Sequence, residues 1–147
     1  MTLELQCVPT SEIIPLRHLV LRPNQPLSAC FYPGDEDSNT VHIAGKIGDQ
    51  LVSIASWYLE SHPQISESSP WRLRGMATHP EFLKRGYGRD VFYFGIETLK
   101  EQHGHFLWFN ARVSAAEFYQ KLGCQALSTG TFNIPGIGPH ILMGRKI

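Results

Sequence analysis

The most informative segment of the chain is a strand-like run that leads through a turn into a helix. It reads Trp71-Arg72-Leu73-Arg74-Gly75-Met76-Ala77-Thr78, then His79-Pro80, then Leu83-Lys84-Arg85-Gly86-Tyr87-Gly88-Arg89. Unpaired amides and the helix dipole favour phosphate at the start of a helix, and glycines let the backbone approach closely. Three basic residues surround the turn, so it could hold a pyrophosphate. A plain tight turn with solvated basic side chains is the alternative interpretation of the same residues.

The elements after this turn alternate between helix and strand. An apolar face predicts a helix that ends at His103-Gly104 and packs through Val91, Phe92, Gly95, Ile96 and Leu99. A buried strand is predicted over Phe106–Ala111. Ser114 to Glu117 has the sequence pattern of a capping box, which predicts a helix whose inner face holds Ala115, Phe118, Tyr119 and Leu122. Two last strands are predicted at about 126–133 and 140–146.

The first half of the chain supplies further strands and one more helix. Apolar alternation predicts a strand over Leu3–Cys7, and Thr10 or Ser11 is predicted to cap a helix that packs through Ile13, Leu16, Leu19 and Val20. Strands at 40–46 and 51–59 and a Ser/Pro loop at 61–70 complete the pattern. The acidic run 35–37 fits a solvated loop, although it could attract a cation. The sequence therefore predicts a mixed α/β sheet in a single domain over residues 1–147.

Composition excludes several classes of protein. The 147 residues include 13 Lys+Arg and 13 Asp+Glu, and 42% of them are hydrophobic, which is typical of a globular domain. Zero net charge argues against nucleic acid or a membrane as the main partner, because such binding needs clustered cations. Met1–Cys7 resembles no signal peptide, and no apolar run is long enough to span a bilayer. Three scattered cysteines favour a reducing compartment, so we expect a cytoplasmic protein.

Metal and nucleotide sites of familiar kinds are not predicted. His103 and His105 have no acidic or cysteine partner nearby in the sequence, which favours a solvated turn over a metal site. The P-loop pattern of nucleotide triphosphatases does not occur. The turn around Gly86 has no third glycine, and the next strand ends in Asn110, not in the acid that would hold a ribose. A nicotinamide enzyme therefore fits poorly, and we expect no metal.

The ordered set of motifs resembles the GNAT superfamily of acyl-CoA N-acyltransferases. The motifs are Gly75-Met76-Ala77-Thr78-His79-Pro80, Arg85-Gly86-Tyr87-Gly88, Asn110, and Ala115-Ala116-Glu117-Phe118-Tyr119-Gln120-Lys121-Leu122-Gly123. They cover about half of the chain. The family's pyrophosphate loop usually begins with Gln or Arg, and here that position is Leu83. The resemblance implies a mixed, mostly antiparallel sheet with splayed central strands, flanked by helices.

The resemblance also implies a cofactor site and a chemistry. Acetyl-CoA would lie between strands 71–78 and 106–111, with the Met76 amide polarising the thioester carbonyl. Its binding residues would be Met76, Ala77, Thr78, Lys84, Arg85, Gly86, Tyr87, Gly88, Arg89, Asn110, Ala115, Phe118 and Tyr119. The amine of a small molecule or peptide would attack directly. Cys124 has no obvious histidine partner, so a covalent acyl-enzyme is disfavoured.

The catalytic roles are less well defined by sequence. Tyr119 is the candidate general acid that protonates the departing thiolate, with a packed core tyrosine as the alternative. Glu60 and His140 are candidate bases that could face the acceptor from opposite sides, and His79 is expected to be structural. A non-catalytic acyl-CoA sensor with the same fold is the competing function. Dimerisation is common in the family, so a homodimer is possible.

Overall fold

The computed structural model describes residues 2–147, and its organising element is one eight-stranded sheet. The strands are β1 (Glu4–Cys7), β2 (Val41–Ile47), β3 (Gln50–Leu59), β4 (Trp71–Thr78), β5 (Phe106–Arg112), β6 (Gln125–Ala126), β7 (Phe132–Ile134) and β8 (Gly138–Lys146). Their order across the sheet is β1-β2-β3-β4-β5-β8-β6, with β7 also paired to β8. All pairings are antiparallel except the parallel pair β4–β5. This arrangement confirms the predicted mixed, mostly antiparallel sheet.

Helices cover both faces of the sheet. They are α1 (Thr10–Leu21), α2 (Tyr87–Glu101) and α3 (Ala116–Lys121), with short 3-10 turns at Leu27–Cys30, Pro80–Phe82 and Val113–Ala115. Successive side chains of a strand point to opposite faces, so β3 sends Ala55 and Trp57 towards α2 and Ile54 towards α1. Gly95 of α2 lies directly against the Trp57 ring, where a methyl group would overlap the indole.

The predicted inner face of α2 is confirmed, whereas that of α1 is partly wrong. All five predicted residues of α2 are buried. On α1, Ile13 and Leu16 are buried, but Leu19 is 49% exposed. The position before α1 is Pro9, which makes no side-chain cap. Thr10 is instead the first helical residue, and its hydroxyl donates to the Asp35 carbonyl at 3.0 Å.

Three further predictions in the last third of the chain are wrong. The capping box does not form, because Val113–Ala115 tightens into a 3-10 turn and α3 begins only at Ala116. Phe118 on this helix is 40% exposed and does not point inward. The strand expected over 126–133 is two short strands, β6 and β7, which pair with different parts of β8.

Candidate active site

Strands β4 and β5 separate soon after they begin. They pair only at Trp71 with Leu107 and at Arg72 with Trp108. The register between β3 and β4 also shifts, because Ile54 lies opposite Ala77 and Ser56 lies opposite Arg74. Gly75, with φ +65°, occupies the shift. A bulge of this kind bends and twists its strand, so the edge of β4 beyond Arg72 is left without a β5 partner, and the predicted splay is confirmed.

A cleft of about 440 Å³ lies beside the end of β4 and the start of α2. Most of the residues predicted to bind acetyl-CoA line it. They are Met76, Ala77, Thr78, Lys84, Gly86, Tyr87, Gly88, Arg89, Ala115, Phe118 and Tyr119. We call this the cofactor cleft, after the prediction that acetyl-CoA binds here. Two predicted members lie elsewhere: the Arg85 guanidinium stacks over Phe82 at 5.5 Å, and Asn110 lines a different cleft.

The floor of the cofactor cleft is a helix start with free amides. Gly86, at φ +82°, precedes the first residue of α2, and the Asp90 amide is the first to bond back into the helix, at 3.0 Å to the Gly86 carbonyl. The amides of residues 87–89 are therefore free to meet a ligand. A Cβ at Gly88 would lie 3.3 Å from Thr78 Oγ1 and 3.6 Å from Phe118 Cζ. The site thus fits a pyrophosphate group held at close range by backbone amides.

A second cleft, of about 390 Å³, opens on the other side of the splay. Arginines, aromatic residues and segments of β4, β5 and β8 form its walls. It is lined by Leu21, Arg22, Tyr32, Arg72, Leu73, Arg74, Gly75, Met76, Phe109, Asn110, Ala111, Arg112, Ser114, Ala115, Tyr119, Ile134, Ile137 and His140. Met76, Ala115 and Tyr119 also line the cofactor cleft. The two clefts therefore meet at these three residues, and we call the second one the acceptor cleft, after the prediction that an amine acceptor would reach the cofactor from this side.

Tyr119 lies at the junction of the two clefts. Its ring packs against Phe109 at 4.4 Å and against Phe118 at 5.1 Å between ring centroids. Burial, and to a smaller extent the neighbouring Cys124, raise the pKa of Tyr119 well above its usual value, while Arg112 acts in the opposite direction. The phenol is consequently protonated throughout the physiological pH range, which is the state that a general acid needs.

The two candidate bases differ in position. His140 is buried in the acceptor cleft, and its Nδ1 lies 2.8 Å from the Gly138 carbonyl. Because a carbonyl only accepts, Nδ1 is the donor of this bond, and Nε2 is the ring nitrogen that does not take part in it. Glu60 lines neither cleft, which corrects the expectation that it faces the acceptor. Its carboxylate accepts from Arg72 Nη1 at 2.8 Å.

A buried polar cluster that the sequence did not reveal lies next to the acceptor cleft and contacts its wall at Tyr32. Arg17 of α1, fully buried, donates from Nη1 to Asp35 Oδ2 at 2.8 Å and from Nη2 to Asp35 Oδ1 at 3.0 Å. Arg17 Nη2 also lies 2.8 Å from the Tyr58 hydroxyl and 3.0 Å from Ser56 Oγ. The guanidinium stacks 4.1 Å from the ring of Tyr32, which lines the cleft. Asp35 is thus an internal counter-ion, not part of a solvated loop.

Metal-ligating side chains do not cluster in the part of the chain that the structure describes. Residues 2–147 bring together no group of three or more His, Cys, Asp or Glu side chains arranged to hold a metal ion. His79 acts locally, since its Nδ1 accepts from the Glu81 amide at 3.1 Å, as expected for a structural residue. Within the same described range, no helix is both long enough and apolar enough to cross a bilayer.

Splayed strands, a bulged β4 and a glycine-lined helix start together define an acyl-CoA acyltransferase type of fold. The chain belongs to the acetyltransferase (GNAT) family, whose family model matches residues 11–124. This result confirms the resemblance drawn from the motifs, and it makes the protein an acyltransferase by class.

Known proteins similar to this chain agree with that membership. A Bacillus subtilis (strain 168) relative, described as the uncharacterized N-acetyltransferase YitI, is 35% identical over 145 residues, which are 99% of this chain and 97% of the relative. Escherichia coli ElaA has a TM-score of 0.77 at 22% identity, covering 98% of this chain and 99% of that one. An aminoglycoside 6'-N-acetyltransferase solved with coenzyme A has a TM-score of 0.73 at 13% identity, covering 97% and 96%. These two structures support the fold alone.

Proposed function

We propose that this protein transfers the acetyl group of acetyl-CoA to a primary amine of a small molecule or peptide, by direct attack within a ternary complex. The observation that carries the proposal is the meeting of two clefts at Met76, Ala115 and Tyr119. One cleft has the free amides that suit a pyrophosphate, and the other has room for an acceptor. Free cysteines at positions 7, 30 and 124 suit a reducing, cytoplasmic location.

The proposed chemistry uses groups at this junction. The neutral amine attacks the thioester carbonyl carbon, and the Met76 amide, in the bulged part of β4, stabilises the oxygen as it gains negative charge. The carbon–sulfur bond then breaks, and the Tyr119 hydroxyl gives its proton to the departing sulfur. His140 Nε2, directly or through water, takes the proton that the amine loses. Cys124 is buried and its pKa is raised to about 12 by burial, so it is a poor nucleophile.

Ligand binding and turnover test different parts of the proposal. Acetyl-CoA at one hundred times its dissociation constant should stabilise the fold by about 2.7 kcal/mol. For a chain of this size that corresponds to a rise of roughly 5–11 °C in melting temperature, whereas NADH should give none. No shift with acetyl-CoA would refute the proposal. A shift without release of free CoA thiol across a panel of amines would instead favour the sensor function.

The Tyr119→Phe variant tests the role of the phenol. Its kcat should fall by about a hundredfold or more, because proton transfer from a positioned acid contributes on that scale. Affinity for acetyl-CoA should change little, since the ring still fills the junction. Phe118→Leu, on the same helix and in the cofactor cleft only, serves as the comparison: it should weaken acetyl-CoA binding more than it lowers kcat. An unchanged kcat in Tyr119→Phe would remove the phenol from the acid role.

A further inference from the structure

The acceptor cleft carries a strong excess of positive charge. Arg22, Arg72, Arg74 and Arg112 line it, and no Asp or Glu of the described chain does so. The protein as a whole has zero net charge, so this concentration of arginine is local. Low-dielectric walls around charges of one sign focus the field into a cleft and attract ligands of the opposite sign.

The arginines of the cleft differ in whether they have a partner. Arg72 is ion-paired with Glu60, although its Nε is buried without a hydrogen-bond partner. Arg74 is half-buried and its side chain makes no hydrogen bond or ion pair with any residue from 2 to 147; its guanidinium stacks 4.4 Å from the Tyr32 ring. Burial and the nearby Arg72 lower the pKa of Arg74. An arginine held out of water without an anion is costly, and a ligand anion would offset that cost.

The position of Arg74 connects this unpaired cation with the transfer site. Arg72 and Arg74 are two residues apart on β4, so their side chains leave the same face of the strand. Met76, where the two clefts meet, is only two residues further along the same strand. Arg112, at the end of β5, is exposed on the opposite wall and also has no ion-pair partner within residues 2–147. Both unpaired arginines therefore line the cleft through which a ligand would reach the junction.

We infer that the acceptor is an amine that also carries an oxyanion group, a carboxylate or a phosphate, and that Arg74 binds this group with help from Arg112. This inference rests on the proposed function and narrows its substrate class. A volume of about 390 Å³ suits a small molecule such as an amino acid, a short acidic peptide or an amino sugar phosphate. Arginine suits the role because its planar fork matches carboxylate and phosphate geometry.

Matched acceptor pairs test the inference. The panel contains amino acids beside their carboxamides, and aminoalkyl and amino sugar phosphates beside the unphosphorylated amines, each compared at equal concentration of neutral amine. CoA thiol release gives kcat and KM, and the melting temperature of the CoA-saturated protein reports acceptor binding without turnover. We expect the anionic member of at least one pair to have a kcat/KM about tenfold higher or more. The carboxylate and phosphate pairs then identify the anion.

Three variants assign the effect to Arg74. Arg74→Gln should raise KM for the anionic acceptor about tenfold, while leaving KM for its neutral counterpart and for acetyl-CoA unchanged. Arg74→Lys should recover part of the loss, because it keeps the charge without the fork. Lys100→Gln removes one positive charge on the exposed face of α2, where Lys100 pairs with Glu97, and it should change none of these values.

Failure of this inference can be distinguished from failure of the proposed function. If acetyl-CoA does not stabilise the protein, the proposed function fails. If acetyl-CoA binds but the two members of every pair react or bind alike, or if Arg74→Gln affects both members equally, the anionic acceptor is refuted and the acetyltransferase proposal stands. If no anionic acceptor stabilises the CoA-saturated protein, the inference is refuted as well.

Discussion

Replacement of Asp35 by asparagine should destabilise the protein strongly. The Asp35 side chain is 3% exposed and that of its partner Arg17 is 0% exposed, and two hydrogen bonds of 2.8 and 3.0 Å join them. The Tyr58 hydroxyl and the Tyr32 amide, the latter at 2.6 Å, also donate to the carboxylate. The carboxamide of the variant would keep the volume but remove the charge, which leaves the Arg17 guanidinium buried with no counter-ion.

The expected magnitude follows from this burial. Removing one partner of a buried ion pair costs about 3–5 kcal/mol, and each kcal/mol lowers the melting temperature of a domain of this size by roughly 2–4 °C. The variant should therefore melt about 6–20 °C below the wild type near pH 7. Because a typical domain is stable by only about 5–15 kcal/mol, a drop of this size is large but leaves a folded fraction to measure.

The effect should also depend on pH with a defined sign. Burial alone would raise the pKa of Asp35, but hydrogen bonds from Arg17, Tyr58 and the Tyr32 amide, with the charge of Arg17, outweigh it and hold the pKa below its usual value. A depressed pKa means that the stabilisation is present above the unfolded value of about 3.9 and is lost as the pH falls through the folded value. The gap between wild type and variant should shrink below about pH 4.

Circular dichroism melts between about pH 3 and pH 8 measure both effects. Asp37→Asn is the matched control, since it makes the same chemical change in the same loop at an exposed residue without an ion pair among those described, and it should melt within about 1 °C of wild type. A melting temperature for Asp35→Asn within about 2 °C of wild type near pH 7 would show that the Arg17–Asp35 pair contributes little. A gap that stays constant down to about pH 3 would refute the assigned ionisation.

Two other substitutions test the walls of the site and the core. Gly88→Val should weaken acetyl-CoA binding at least tenfold, because the valine side chain would occupy the space beside Thr78 Oγ1 and Phe118 Cζ. The melting temperature of the free protein should fall by no more than a few degrees. Unchanged affinity by calorimetry would place the pyrophosphate elsewhere. Gly95→Ala should destabilise by about 1–3 kcal/mol in urea unfolding, because the added methyl overlaps the Trp57 ring. Helix propensity alone would stabilise the same substitution by about 1 kcal/mol, so the sign of the change decides between packing and propensity.

Sequence patterns predicted best where local periodicity and packing agree. The apolar face of α2 was predicted completely, because a long amphipathic helix must bury that stripe against the sheet. The turn at Gly86 and Gly88 was also predicted correctly as the start of this helix, and both glycines line a cleft; that the turn holds a phosphate stays a prediction. In both segments the pattern that predicts the element lies within a few consecutive residues. A short stretch of sequence is therefore enough to predict which residues of the element are buried or line a cleft.

Predictions failed where tertiary geometry determines which side a residue faces. Asn110 was assigned to the cofactor, but it lines the acceptor cleft together with Phe109 and Ala111 and does not line the cofactor cleft. Glu60 has a nearer partner in Arg72, which no local pattern indicates. Asp35 is one of three consecutive acidic residues, and its partner Arg17 is 18 residues away in sequence. Asp35 is buried because α1 packs on the sheet and brings Arg17 to it. The residues next to Asp35 in sequence do not indicate this contact.

Gly75 connects the buried Arg17–Asp35 pair with the acceptor cleft. This residue makes the bulge at φ +65°, and a Cβ there would lie 3.0 Å from Arg17 Nε and 3.4 Å from the Tyr32 ring. The guanidinium groups of Arg17 and Arg74 both stack on the Tyr32 ring, at 4.1 and 4.4 Å from its centroid. The backbone that opens the splay therefore rests on the same side chains that position the proposed anion-binding arginine. The Asp35→Asn substitution should consequently raise KM for the acceptor more than KM for acetyl-CoA. The reason is that the cofactor cleft is built from α2, α3 and the C-terminal end of β4.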